Sequence, residues 1–112
     1  MTKLPRPGSP ARGSETGRAV MALLDLLGRR WALRAVWELR EQPLTFRELQ
    51  RNCGGISSSV LNDRLRELRA AGIVESGRAG YELTPEGDKL LRVLEPVQAW
   101  AGRWADREGG RP

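Results

Sequence analysis

The chain has no histidine and a single cysteine, Cys53. A disulfide within the chain is therefore excluded, and a zinc centre of the usual Cys/His kind has too few ligands to form. Histidine, the commonest general acid–base side chain, is missing. No glycine-rich phosphate loop opens a helix, and the carboxylates fall on amphipathic stretches as solvated faces would place them. These absences argue against an enzyme and against a metal or other cofactor. No apolar run approaches the ~20 residues that a membrane helix needs. The opening stretch, MTKLPRPGSPARGSE, lacks the apolar segment of a secretory leader. The expectation is a cytoplasmic protein with no membrane partner.

What is present is positive charge. There are 19 Lys and Arg against 14 Asp and Glu, a net charge of +5, and the isoelectric point is about 10.6. That balance suits an acidic partner, with nucleic acid first among them. A chain of 112 residues is most simply one domain with one modest core, which dimerisation would help.

Residues 1–14 carry Pro5, Pro7, Pro10, Gly8 and Gly13 with little apolar content, so they are expected to form a flexible tail. Lys3, Arg6 and Arg12 make it basic; an unstructured leader is favoured over an arm that reaches DNA. The end, residues 107–112, is expected to fray, which leaves 15–106 as the domain. A first helix is predicted over Glu15–Leu27. Val20, Leu23, Leu24 and Leu27 form one stripe, and Ala19, Ala22 and Leu26 make much of the remaining circumference apolar. Such a helix needs cover on most sides, supplied either by a central position in a monomer or by a second subunit. In so short a chain the second subunit is favoured.

Gly28 ends this helix, and a second is predicted from about Arg30 to Glu41, stopped by Pro43. Thr45 and Glu48 have the spacing of a capping box and open a third, with Phe46, Leu49 and Cys53 facing inward. Cys53 reads as a small buried hydrophobe rather than a reactive thiol. Gly54-Gly55 breaks the chain, Ile56 plugs the corner, and Ser57 caps a fourth helix. Helix, short glycine turn, helix is the helix-turn-helix pattern. Gly72 ends the fourth helix. IVES (73–76) and YELT (81–84) then read as short strands joined by GRAG, with Arg78 near the tip. A hairpin in that place is a wing. Thr84 caps a last helix, Pro85 takes its first position, and Pro96 is expected to kink or split it. Leu90, Leu91, Val93, Leu94 and Val97 carry its apolar side, extended by Trp100 and Trp104 at i and i+4. Two large aromatics beyond the reach of a small core are a second sign of a subunit interface. The predicted dimer interface is thus Val20, Leu23, Leu24, Leu27, Val97, Trp100 and Trp104. The fold class is mainly α with a small β-hairpin: a winged helix-turn-helix with terminal helices for dimerisation.

The fourth helix has two faces. Leu61, Leu65 and Leu68 share the core side, and Ser58, Ser59, Asn62, Asp63 and Arg66 lie opposite. A major groove admits one helix, and these residue types suit base edges. Serine donates or accepts, asparagine pairs with adenine, arginine with guanine, and aspartate accepts from cytosine. Alone, this face would read as ordinary solvated surface; between a glycine turn and a wing it reads as the base-contacting face. Arg64 and Arg69 lie to the flanks, solvated or paired with Glu67. Candidate phosphate contacts are Arg47 at the start of the third helix, Arg78 on the wing, Arg29 and Arg30 after the first helix, and Ser57 at the helix N-terminus. The rival reading is a winged-helix module that binds protein. Such a module would expose apolar residues on this face, and this one does not.

The fragments LLDLLGRRW, FRELQRNCGGIS, LNDRLRELRAAGIVE, YELTPEG and LEPVQAW, taken in this order, resemble the HxlR-type winged-helix transcriptional regulators, relatives of the MarR-like and PadR-like groups. The resemblance spans Leu23 to about Trp104. It implies a homodimer on double-stranded DNA at a palindromic operator, with helices from both chain ends forming the interface, and it leaves room for a small-molecule effector of unspecified identity. Three features depart from the family pattern. The stretch SETGRAV lacks the cysteine that members often carry at or before the first helix, so redox sensing there is not expected. Thr45 stands where an arginine commonly precedes the phenylalanine of the third helix. The wing, ESGRAGYELT, is shorter than usual and lacks its proline.

Overall fold

The computed structural model describes residues 15–108. The expected basic tail, 1–14, and the last four residues lie outside the described part. The elements run α1 (Glu15–Leu27), α2 (Ala32–Glu38), α3 (Phe46–Asn52), α4 (Ser58–Ala70), β1 (Val74–Gly77), β2 (Gly80–Leu83) and α5 (Pro85–Glu108). This is the predicted class: helices around one core, with an antiparallel hairpin between the fourth and the last.

The core forms where the inward faces of α2, α3 and α4 meet. Leu49, Leu61, Leu65, Leu68, Val36 and Val74 are all essentially enclosed, and Leu26, Leu39, Leu44, Cys53, Ile56 and Ile73 complete the cluster. The three leucines of α4 occupy one stripe, as their spacing predicted, and this fixes which face of α4 turns outward.

The helix starts follow local chemistry. At Thr45 the capping box is complete: its Oγ1 accepts from the Glu48 N–H at 3.1 Å, and its own N–H donates to Glu48 Oε1 at 2.9 Å. Ser57 Oγ accepts from the Val60 N–H at 3.2 Å. Thr84 Oγ1 accepts from the Gly87 N–H at 3.0 Å and donates to the Gly72 carbonyl at 2.6 Å. Gly54 and Gly55 both sit at positive φ, +85° and +80°, which lets the chain reverse between α3 and α4 without a Cβ penalty.

Three predicted features are corrected. The second helix is only seven residues long, not the dozen or so from Arg30 to Glu41. Trp31 adopts φ 78° and caps it without a side-chain bond, so Arg30 and Trp31 stay outside. At the other end Leu39 turns into the core, its N–H bonding the Val36 carbonyl at 3.1 Å, well before Pro43. The following loop must bring Leu44 beside the wing. There Leu44 and Tyr81 form an isolated antiparallel bridge, with N–H to carbonyl distances of 3.0 and 2.8 Å. The wing itself is tighter than expected. Val74 pairs with Leu83 and Gly77 with Gly80, so the connection is the two residues Arg78 and Ala79, not GRAG, and Ile73 and Thr84 fall outside the strands. Gly80, at φ +133°, has room for no Cβ, because one would strike the Leu44 carbonyl. Finally, of the two outcomes expected at Pro96, a kink or a split, the split does not occur: α5 runs 24 residues through it, to Glu108. Proline removes one ladder hydrogen bond; on this exposed stretch the helix forgoes it and continues.

The terminal helices leave apolar surface uncovered. On α1 the core takes Ala22 and Leu26, while Val20, Met21 and Leu24 are more than half exposed; Leu23 and Leu27 are half-buried. On α5, Val93, Val97, Trp100 and Trp104 are exposed, and the two indoles stack with centroids 5.9 Å apart. Among the described residues no helix is long and apolar enough to cross a membrane.

Candidate nucleic-acid interface

With its leucines buried, α4 presents Ser58, Ser59, Asn62 and Arg66 to solvent, and Asp63 stands half-buried beside them. The first turn is fixed at three points. The Ser57 cap holds its N-terminus. The Gln50 side-chain amide, from α3, donates to the Ile56 carbonyl at 2.8 Å and to Ser58 Oγ at 3.1 Å. The Gly55 N–H closes back on the Gln50 carbonyl at 3.0 Å.

Farther along, Arg66 and Asp63 are one unit. Arg66 Nη2 lies 2.7 Å from Asp63 Oδ1, one turn apart. The pair is solvent-exposed and adds little stability, but it decides where the guanidinium stands. Arg64, by contrast, is turned inward. It lies 3.0 Å from Glu67 and donates to the Arg30 carbonyl at 3.3 Å, so it anchors α4 to the segment after α1. Of the two outcomes expected for Arg64, solvation or pairing with Glu67, the pairing is present.

The cations proposed for phosphate fall in three places. Arg47 is exposed in the first turn of α3, and Arg78 is exposed at the tip of the hairpin. Arg30 is exposed and lies 5.4 Å over the Trp31 ring, whereas Arg29 is half-buried with its Nε enclosed. Ser57 already gives its oxygen to the Val60 N–H, so capping is its first task. Cross-strand from one another, Glu75 and Glu82 put like charge on the outer face of the hairpin. The wing's positive charge is therefore confined to its tip.

Sequence reading missed the Gln50 amide, the Arg34 contacts (Glu38 at 2.8 Å and the Asn52 carbonyl at 2.7 Å) and the Leu44–Tyr81 bridge. All but the Arg34–Glu38 pair join residues that no helical or strand period relates. Among the described residues no group of three or more acidic or cysteine side chains is placed to hold a metal ion.

A short helix joined by a glycine turn to a helix with a buried leucine stripe and a polar outer face, followed by a hairpin wing, defines a winged helix-turn-helix, the architecture of a DNA-binding domain. Residues 26–109 match the model of the HxlR-like helix-turn-helix family. The chain is 31% identical over 90 residues to the HTH-type transcriptional regulator YvaP of Bacillus subtilis, covering 74% of this chain and 83% of YvaP. It is also similar to the quinone-bound structure of YodB from B. subtilis, with a TM-score of 0.71 and 34% identity over 75% of this chain and 96% of that one. A MarR-family regulator structure from Enterococcus faecalis gives a TM-score of 0.74 at 28% identity, covering 93% of this chain and 99% of that one. This chain belongs to the HxlR-like helix-turn-helix family. It is a DNA-binding transcriptional regulator and not an enzyme.

Proposed function

We propose that this regulator binds DNA sequence-specifically, as a homodimer on a near-palindromic operator, with α4 of each subunit in a major groove. The carrying observation is the outer face of α4: Ser58, Ser59, Asn62 and Arg66 are exposed opposite the fully buried Leu61, Leu65 and Leu68. In this reading Asn62 and the Arg66–Asp63 unit contact base edges beside the two serines. Arg47 and Arg78 fix register on the phosphates, with Arg29, Arg30 and Ser57 near the same backbone. The exposed apolar residues of α1 and α5 cover one another across the two-fold axis, and residues 15–106 form the functional unit. Two recognition helices in successive grooves set the half-sites about 34–36 Å apart. The protein works in the cytoplasm. A small-molecule effector completes the reading, supported by the quinone-bound state of the similar YodB.

The test is titration against a selected operator and a random duplex at several salt concentrations. Asn62→Ala is expected to cost about 1–3 kcal/mol on the operator and little on random DNA. Arg78→Ala is expected to weaken both and to lower the salt slope by about one. Equal losses on both duplexes for Asn62→Ala would show that this face does not read sequence. No DNA binding by the wild type at low salt would leave a protein-interaction module in its place.

A further inference from the structure

We infer that Gln50 is a positioning residue that favours Ser58 as a hydrogen-bond donor to a base edge and thereby disfavours cytosine at one operator position. This rests on the reading of α4 as the base-contacting helix and names what one of its residues recognises.

The Ile56 carbonyl is an acceptor only, so the Gln50 amide must turn its nitrogen, not its oxygen, toward it at 2.8 Å. That nitrogen carries two protons. The second points to Ser58 Oγ at 3.1 Å, which accepts it. One lone pair of the Ser58 hydroxyl is thereby occupied. Ser58 is also the first residue of α4, so no carbonyl of a preceding helical turn is available to take its proton, as one would be in a helix interior. Ser58 is exposed. Its hydroxyl proton is left to whatever lies beyond α4, and the contact it makes best is to an acceptor. In the major groove guanine, adenine and thymine each present an acceptor, whereas cytosine presents only its N4 amino donor. A serine free of Gln50 rotates between donor and acceptor and discriminates less.

The experiment is selection of operator sequences by the full chain and its variants, followed by titration on the selected and random duplexes. Wild type is expected to show one position per half-site depleted in cytosine. Ser58→Ala and Gln50→Met are each expected to restore cytosine there; Ser58→Ala should weaken operator binding by roughly 3–10-fold, the effect of one net hydrogen bond, and Gln50→Met by less, with random-duplex binding unchanged in both. The double variant should lose no more than Ser58→Ala alone, since Gln50 acts on the base only through the Ser58 hydroxyl. Ser58→Thr, which keeps the hydroxyl, should keep the bias against cytosine. If Gln50→Met does not fold, Gln50→Ala replaces it at this half-buried helical position.

A Gln50 variant that folds and keeps the wild-type base profile while Ser58→Ala changes it overturns the positioning role. Equal loss on operator and random DNA for Ser58→Ala reassigns its hydroxyl to a phosphate and overturns the inference. An unchanged profile in every variant, with a clear wild-type operator, overturns it while leaving the sequence-specific reading intact. Absence of any enriched sequence for wild type overturns both.

Discussion

Glu48 accepts from the Thr45 N–H at 2.9 Å and lies three residues into α3, where the helix N-terminus also favours negative charge. The Thr45 backbone bond first, and then its side chain, hold the Glu48 carboxyl below its ordinary value of 4.5. A native pKa below the unfolded one stabilises the fold at neutral pH, and that contribution disappears as the pH falls through the native value. Glu48→Gln is therefore expected to lower the melting temperature at pH 7, with the two proteins converging in acid below pH 4.5. A constant difference across that range would assign the effect to packing. Cys53 behaves in the opposite sense. Burial pushes its thiol above the ordinary 9.0, Arg34 opposes the rise and Glu38 adds to it. Thiolate is the reactive form and is scarce here at neutral pH. Peroxide treatment is expected to leave operator affinity unchanged in wild type and in Cys53→Ala alike. A peroxide-dependent loss that vanishes in the variant would make Cys53 a sensor.

Among the elements, α4 was the most legible in the sequence, because everything that defines it is local. Its cap is Ser57, its stripe is Leu61, Leu65 and Leu68, and its end is Ala71 before Gly72 at positive φ. The capping box of α3 was readable for the same reason. The second helix was not, since its start depends on a tryptophan at φ 78°, a conformation that no propensity favours and only surrounding packing maintains. The tight wing was missed because the pairing of Gly77 with Gly80 is set by the sheet. The Gln50 amide was missed because a glutamine on α3 has no pattern that points to the carbonyl of Ile56. The legible and the hidden parts meet at the first turn of α4. Ser57→Ala is expected to cost about 1 kcal/mol of stability and to fray the turn that carries Ser58 and Ser59. Operator affinity should then fall more than binding to random DNA, which loses only the phosphate contact of Ser57, and circular dichroism should show a small loss of helix. An unchanged operator affinity would mean that Gln50 and the Gly55 N–H hold the first turn without the cap.

At the scale of the whole molecule, α5 is a 24-residue helix of which no apolar side chain is fully buried. Leu90 and Leu91 rest against the core, and beyond them Val93, Val97, Trp100 and Trp104 are 53–67% exposed. Exposed apolar residues scattered singly need no explanation, but a stripe along one helix marks an interaction surface. On α1, Val20, Met21 and Leu24 form a second such stripe. A stable dimer buries about 800 Å² on each partner, and two helices of this kind from each subunit are suited to supply it. The stacked Trp100 and Trp104, 5.9 Å apart and within 10° of parallel, are pre-ordered aromatics of the sort that dominate interface energetics. Joint Trp100→Glu and Trp104→Glu substitution is expected to abolish association, giving a monomer in sedimentation or an unfolded chain. Because a chain that needs its partner unfolds when separated from it, wild type offers the cleaner measurement. Its melting temperature should rise with protein concentration, and it should sediment as a dimer at micromolar concentration. A wild-type monomer with a concentration-independent melting temperature would remove the two-fold axis, and with it the near-palindromic operator, while leaving each α4 able to read a single half-site.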